Sequence, residues 1–446
     1  MIEIYTLGGY NEVGKNMTVV RVDGEAVIFD MGLQLENYIR FTEEVEDVHF
    51  VSTKMLTSNH VVPDITPIEK IKKEVLAIVP THAHLDHVGA VPFLAKKFNN
   101  VPIICTPFTA EVLKTILYDD KIDFKNPIKT MNINSKVMLS KNLELEFINS
   151  THSTPQTVMA ALHTKYGTII YANDFKFDEF PTFGLKSNIE KLREFGEKYD
   201  VLALIVDSTY ANIASKTPSE SVAKQMLKDV MLGTDNSGKG VIVTTFSSHI
   251  ARLKSIIEFG KQMNRKIYFC GRSLAKYVQA AENINLVNFS DDVTIFKYRK
   301  QVKKALKDVE EAREKYLLVV TGHQGEPGST LRNIAEGKLD FRFEKGDHII
   351  FSCKTIPTQT NIENRKSLEN ALRKYNVRIF TDIHVSGHAS REDLRDLINL
   401  VTPKHIIPAH GSVQMRTGLA ELAGDMGYNI KKNVHLVFDG AKITIN

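Results

Sequence analysis

At 446 residues, 43% hydrophobic and 25% charged, the chain has the composition of a soluble globular protein and is too long for one ordinary core, so two or three domains are expected. No apolar run approaches the roughly 20 residues of a membrane span, and "MIEIYTLGGY" carries no basic leader, which points to a cytoplasmic protein. The net charge of +4 excludes little, but Asp207 to Arg365 holds 25 Lys and Arg against 18 Asp and Glu, an asymmetry suited to an anionic polymer substrate.

The first 175 residues read as short β-branched strands broken by Gly, Asn and Asp: "IEIYTL", "MTVVRV", "AVIFDMG", "VLAIVP", "VPIICT", "LELEFIN" and "GTIIYAND". Helical patches such as "AVPFLAKKF" and "TAEVLKTIL" fall between them, giving an α/β arrangement whose strand ends deliver loops to one edge. Around Asp207 the character changes. "TPSESVAKQMLKDVML" has Thr217, then Pro, then Glu220, the signature of a capped helix start. Strands "GVIVTTF", "KIYFCG", "YLLVVTG" and "DHIIFSC" then alternate with helices such as "IARLKSIIEFG", which predicts a separate parallel α/β unit. The basic run "KYRKQVKKALKD" within it reads as the solvated face of a helix. From about Lys366 helix and strand pieces return with more His: "IHVSGHAS", "HIIPAHGS" and "VHLVFDGAKITIN".

The chemistry is concentrated in "VPTHAHLDHVGAVPF", which sets His82, His84, Asp86 and His87 directly after an apolar strand. His82 and His84 alternate with small residues, so an extended loop points both imidazoles to one side, while Asp86 and His87 fall where the chain turns into a helix. Four ligands for one ion from so short a stretch would strain the backbone. Two adjacent ions, each completed by distant residues, is the easier geometry. His152, Asp174 and His410 each lie just past an apolar strand, where α/β folds collect function, and a carboxylate such as Asp174 can bridge two ions. Cys105, Cys270 and Cys353 form no CxxC pair, so no disulfide framework or thiolate zinc site is indicated. All-N/O ligation with an open edge is a catalytic pattern. Two metals roughly 3.5–4 Å apart would activate water and stabilise attacking and leaving oxygens.

"HAHLDHVGAVPF" resembles the metallo-β-lactamase signature over its full length. The resemblance implies one Zn²⁺ on His82, His84 and His152, a second on Asp86, His87 and His410, Asp174 bridging them, and Asp30 of "AVIFD" supporting a ligand His. It also implies the αββα sandwich fold. "LIVDSTY" with Asp207, "TTFSSHIAR" with His249 and "VSGHAS" with His388 resemble the three extra motifs of the β-CASP group, the nucleic-acid-processing branch in which a second domain is inserted into the lactamase fold. The expected boundaries are 1–206 and 366–446 for the lactamase domain and 207–365 for a parallel α/β β-CASP insert. "LGGYNEVGKNMTVV", "VTGHQGEPGSTL" and "HVSGHAS" resemble segments of the RNase J family across the whole chain. His323 departs from that family's usual small residue, and no extension follows "FDGAKITIN", as in the shorter archaeal form.

The resemblance implies a two-zinc ribonuclease acting on single-stranded RNA, mainly 5′→3′, in the cytoplasm and as a homodimer. Asp86, Asp207 and His388 are the candidate catalytic residues. "HVSGH" offers Ser386, backbone NH groups around Gly387 and two imidazoles, a compact anion-binding set. With "FSS" it defines the expected phosphate and RNA contacts: Phe246, Ser247, Ser248, His249, His384, Val385, Ser386, Gly387 and His388. The rival readings are an endonucleolytic RNA 3′-end-processing factor of the same branch, a small-molecule hydrolase of lactonase type, and an RNA-binding scaffold on an inactive lactamase fold.

Overall fold

A computed structural model describes residues 1–44 and 52–445. Its contacts divide it into two compact units, one of residues 1–179, 184–217 and 387–446 and one of residues 180–183 and 218–386. The expected insert, 207–365, is thus displaced towards the C-terminus at both ends. Asp207 ends a strand, Val201–Asp207, that pairs in parallel with Gly167–Ala172 and His405–Ala409 inside the first unit. At the other end, helix Gln359–Arg373 and strand Arg378–Phe380 belong to the second unit, where the strand pairs with His348–Phe351.

The first unit contains two facing sheets. One has seven strands in the order Ala441–Ile445, Ile2–Gly8, Met17–Val22, Glu25–Phe29, Val75–Val79, Ile103–Cys105, Ile128–Thr130. The other has six: His405–Ala409, Val201–Asp207, Gly167–Ala172, Val158–Thr164, Glu144–Asn149, Lys136–Met138. Alternate residues of each strand face opposite sides, so one strand serves two cores. Val27 and Phe29 pack between the sheets with Phe147, Ile169 and Tyr171, while Ile28 joins the outer core with Leu94 and Leu113. Behind the second sheet, Ile170 and Leu204 pack on Leu192, Leu394 and Leu419 from three helices. This is the αββα sandwich. The strand Val158–Thr164 escaped the sequence reading, since "VMAALHT" lacks the alternation of a half-exposed strand, and its first five residues are buried.

The second unit holds a six-stranded sheet, Val293–Phe296, Lys266–Cys270, Tyr316–Val320, Val241–Thr244, His348–Phe351, Arg378–Phe380, with every pairing parallel. Its strands are apolar runs, as a sheet covered on both faces requires. The basic run forms helix Arg299–Glu311, which buries Val302, Ala305, Leu306 and Val309 at helical spacing and exposes Lys300, Lys303, Lys304 and Lys307. The helix expected to start at Thr217 begins at Glu220 instead, with Ser219 as its cap accepting from Ser221 N. Thr217 has other partners: its hydroxyl donates to His388 O at 2.7 Å and its NH to Asp393 at 2.8 Å.

Candidate metal centre

Strand direction assembles the site. In the six-stranded sheet of the first unit, Val201–Asp207, Gly167–Ala172 and His405–Ala409 run parallel. Glu144–Asn149 runs the same way because two antiparallel pairings separate it from Gly167–Ala172. Their C-terminal ends therefore bring His152, Asp174, Asp207 and His410 to one edge. In the facing sheet Glu25–Phe29 and Val75–Val79 are also parallel and end at Asp30 and at the loop carrying His82. His84 is extended (φ −73°, ψ 146°), and Leu85–Val88 is a helical turn that aims Asp86 and His87 away from it.

Three overlapping groups of candidate ligands result: His82, His84, His152 and Asp174, then Asp86, His87 and His410, and then Asp174, His388 and His410, with the donor atoms of each group within 4.8 Å of one another. In the first, His84 Nδ1 lies 3.1 Å from both His82 Nε2 and His152 Nε2, and Asp174 Oδ2 lies 3.5 and 3.4 Å from those two nitrogens. Bonds of 2.0–2.1 Å to a tetrahedral ion put neighbouring donors roughly 3.4 Å apart. The group has the edge lengths of such a shell. In the second, Asp174 Oδ1 lies 3.3 Å from His87 Nε2 and 3.4 Å from His410 Nε2, while Asp86 Oδ2 lies 3.6 and 3.8 Å from them. Asp174 thus turns one oxygen to each of these two groups, and Oδ1 is buried without a hydrogen-bond partner. A buried carboxylate oxygen in that state fits a cation.

In the first group the protonation states suit the same role. Burial would lower His87 of the second, but Asp174, Asp30 and Asp86 hold it well above the usual imidazole range, so it must lose its proton to ligate. Burial holds His82 and His152 well below the usual imidazole range, and burial lowers His84 to about 4 against the pull of Asp86 and Asp174. These rings are neutral and have lone pairs to offer. Burial would raise Asp174, but His410, His87 and His388 hold it well below the usual carboxylate range, so it is an anion. Metal ligation needs that combination of neutral imidazole and ionised carboxylate.

Hydrogen bonds behind the ligands fix which nitrogen faces the site. His87 Nδ1 donates to Asp30 Oδ2 at 2.7 Å, His152 Nδ1 to Gly387 O at 2.7 Å, and His410 Nδ1 to Asn16 Oδ1 at 2.9 Å. Asp30 also accepts from Thr81 N, Thr81 Oγ1 and Tyr171 Oη. Asp30 and His410 both hold left-handed backbone, φ 56° and 51°, where side chains other than Gly, Asn and Asp are uncommon. Asn16, Thr81 and Tyr171 escaped the sequence reading. All three stand in quoted stretches without being singled out, and the Asn16 NH and side-chain amide both donate to Asp86 O.

Gly32 lies beneath the metal loop, and a Cβ there would sit 1.6 Å from Asp86 O. Backbone cannot yield that much without displacing Asp86 and His87. Gly32→Ala should therefore cut bound metal to below half of wild type and lower the melting temperature. Elemental analysis beside a thermal melt checks it, and wild-type metal content would refute the packing argument.

His388 stands beside the ligands. Its Nδ1 donates to Asp207 Oδ2 at 2.8 Å and lies 3.9 Å from Asp174 Oδ2. Asp207 Oδ1 accepts in turn from Thr209 N and Oγ1. Burial lowers the imidazole pKa, but Asp174 and Asp207 outweigh it and raise His388 to about 9. Gly387 is needed here as well, because a Cβ would meet His152 Nδ1 at 2.7 Å. His249 belongs to the second unit, where it caps helix Ile250–Gln262 and lies 3.4 Å from Glu220 Oε2. In that unit the Phe246 ring lies 4.3 Å from His323 and 6.1 Å from His384, Ser248 and Val385 are buried, and Ser247 and Ser386 are half-buried.

Residues 10–205 match the metallo-β-lactamase superfamily, residues 374–436 the Zn-dependent metallo-hydrolase RNA specificity domain, and residues 238–369 the ribonuclease J β-CASP domain. Fold, ligand groups and these matches define the class: a metallo-hydrolase of the metallo-β-lactamase superfamily with a β-CASP domain. The chain is 43% identical to Ribonuclease J of Methanocaldococcus jannaschii over 98% of both chains. It is 44% identical to Ribonuclease J of Pyrococcus abyssi over 100% of this chain and 97% of that protein. The chain belongs to the ribonuclease J family, in its archaeal form. It matches only 66% of the length of Ribonuclease J of Synechocystis sp., at 30% identity. A solved Enterococcus faecalis protein of unknown function shares the fold, with a TM-score of 0.66, 16% identity and full coverage of both chains.

Proposed function

We propose that this chain is a zinc-dependent ribonuclease that holds two Zn²⁺ and degrades single-stranded RNA, mainly from the 5′ end and with a preference for a 5′-monophosphate. The observation that carries the reading is Asp174, one buried anion serving two ligand groups, in a chain whose relatives are named ribonucleases. Zn²⁺ bound there would supply Lewis acidity and a water acidic enough to attack phosphorus near neutral pH. His82, His84 and His152 would hold one ion and Asp86, His87 and His410 the other, with Asp174 shared.

The chain's own residues do the rest. Asp207, steadied by Thr209, holds the His388 ring by Nδ1 and, after Asp174, raises its pKa above the usual imidazole range. A cationic imidazole beside the ligand groups can donate a proton to the leaving oxygen or a hydrogen bond to a phosphoryl oxygen. Asp86 combines ligation with a carboxylate face that is partly open, its side chain 27% exposed, from which it can accept a proton from an attacking water. Ser247, Ser248, His384, Ser386 and the backbone at Val385 and Gly387, with Phe246 and His249 alongside, would recognise a terminal phosphate and the adjoining nucleotide. Hydroxyl and NH donors can surround a compact monophosphate, whereas a triphosphate adds bulk and charge.

The inactive-scaffold reading is disfavoured because all seven ligand residues are present and grouped. A lactonase leaves the β-CASP domain without a purpose. Among the described residues no helix is long and apolar enough to cross a membrane. A cytoplasmic homodimer completes the proposal, and sedimentation would test the dimer.

The direction is tested with one RNA carrying a 5′-monophosphate or a 5′-triphosphate and an internal label. Release of mononucleotides from the first time point, with kcat/KM at least about tenfold higher on the monophosphate, is expected, and Ser386→Ala should narrow that ratio. Internal fragments at early times would favour the endonucleolytic alternative, and equal rates on both ends would remove the terminal-phosphate pocket.

A further inference from the structure

Arg252 is fully buried and among the largest side chains to be so. A guanidinium taken out of water must find partners for its donors, and here every one is in the second unit. Nε donates to Glu220 Oε1 at 2.6 Å and Nη2 to Glu220 Oε2 at 2.8 Å, a bidentate pair. Nη1 donates to Ser352 O at 3.0 Å, Ser352 Oγ at 2.8 Å and Ile383 O at 3.1 Å. Ser352 Oγ itself donates to Ile383 O at 2.9 Å, so two side chains hold that one carbonyl.

The positions of these contacts in the chain give them meaning. Arg252 lies in the first turn of helix Ile250–Gln262, directly after "FSSH". His249 caps that turn by accepting from Arg252 N at 3.3 Å and lies 3.4 Å from the same Glu220 carboxylate. The turn before it closes through His249 N to Phe246 O at 3.1 Å and Ile250 N to Ser248 O at 3.0 Å. Ile383 immediately precedes His384, Val385 and Ser386. One guanidinium therefore ties the turn carrying Phe246, Ser247 and Ser248 to the segment carrying His384 and Ser386, although more than 130 residues separate them. A buried ion pair is a poor source of net stability against apolar packing, and its best-attested benefit is a unique arrangement.

We propose that Arg252 is a positioning residue that fixes these two segments relative to one another, so that the hydroxyls of Ser247, Ser248 and Ser386 meet a 5′-terminal phosphate as one set. The inference rests on the terminal-phosphate reading above. Glu220 orients the guanidinium, Ser352 doubles its grip on Ile383 O, and neither needs to touch RNA. Lysine cannot replace it, since one ammonium cannot fork onto a carboxylate and also reach both carbonyls.

The experiment compares kcat and KM on the same RNA with a 5′-monophosphate or a 5′-hydroxyl end, for wild type, Arg252→Lys and Ser352→Ala. Bound zinc and thermal melts are recorded for each. In wild type the monophosphate should be preferred. In Arg252→Lys that preference should shrink about tenfold, mainly through KM on the monophosphate, with zinc content unchanged. Ser352→Ala, the milder lesion, should shift the ratio in the same direction and keeps the test open if Arg252→Lys does not fold. A lower melting temperature with the end preference intact in both variants would make Arg252 merely structural and overturn the inference. No end preference in the wild type would instead overturn the phosphate reading, and the positioning role with it.

Discussion

Asp174→Ala is expected to abolish RNA cleavage and to lower bound zinc at both positions together, rather than emptying one and sparing the other. Oδ2 sits at 3.4–3.5 Å from His82 and His152 and Oδ1 at 3.3–3.4 Å from His87 and His410, so one truncation removes a donor from each group. Losing an outer partner of a metal ligand already costs about 10–100-fold in affinity or activity. Losing the shared ligand should exceed that, leaving activity below about 1% of wild type. Asp174→Asn keeps the volume and one oxygen but neutralises the charge, and should fall between wild type and Ala in zinc content. The measurements are elemental analysis of protein purified without added metal and single-turnover cleavage at saturating enzyme. Two zinc ions per chain retained in Asp174→Ala would refute the shared-ligand assignment. Loss of one ion only would show that the two groups bind independently.

The candidate ligands were legible in the sequence because their chemistry leaves a local mark. His82, His84, Asp86 and His87 crowd a single loop, and His152, Asp174 and His410 each follow an apolar run, which parallel strands carry to a common edge. The residues behind them leave no such mark. Asn16, Thr81 and Tyr171 are ordinary residue types without diagnostic spacing, and they matter only because strands distant in sequence place them against Asp30, His87 or His410. Gly387 acts through a carbonyl, which sequence cannot display. The strands were legible as short β-branched runs and the lactamase sandwich through the resemblance carried by "HAHLDHVGAVPF", whereas the boundaries with the second unit were not, since they depend on long-range pairing: Asp207 belongs to a strand held between two others, and Arg378–Phe380 is recruited to the sheet of His348–Phe351. The helix start at Ser219 was misplaced because two capping residues compete there. Thr217 is drawn off by His388 and Asp393, which leaves Ser219 to cap.

His388→Ala is expected to keep zinc content at the wild-type level and to slow cleavage by about 10² or more, equivalent to about 2.7 kcal/mol of transition-state stabilisation. The ring shares only the third group, with Asp174 and His410, and its Nδ1 is committed to Asp207 Oδ2 at 2.8 Å and lies 3.9 Å from Asp174. Metal retention therefore separates His388 from the ligands, which Asp174→Ala cannot do. Asp207 contacts the ring rather than any position open to RNA, so Asp207→Asn should act through His388 and cost less, about tenfold. The two residues then form one unit, and their effects should not add: Asp207→Asn in the His388→Ala background should cost almost nothing further, whereas independent roles would multiply. A proton donor and a phosphoryl-oxygen contact are distinguished by the leaving group. Replacing the bridging 3′ oxygen of the scissile linkage by sulfur supplies a leaving group that needs no proton, so it should restore His388→Ala towards wild type if the imidazole protonates that oxygen, and leave the defect intact if it binds a non-bridging oxygen. Unchanged turnover on ordinary RNA in His388→Ala would exclude the residue from catalysis altogether.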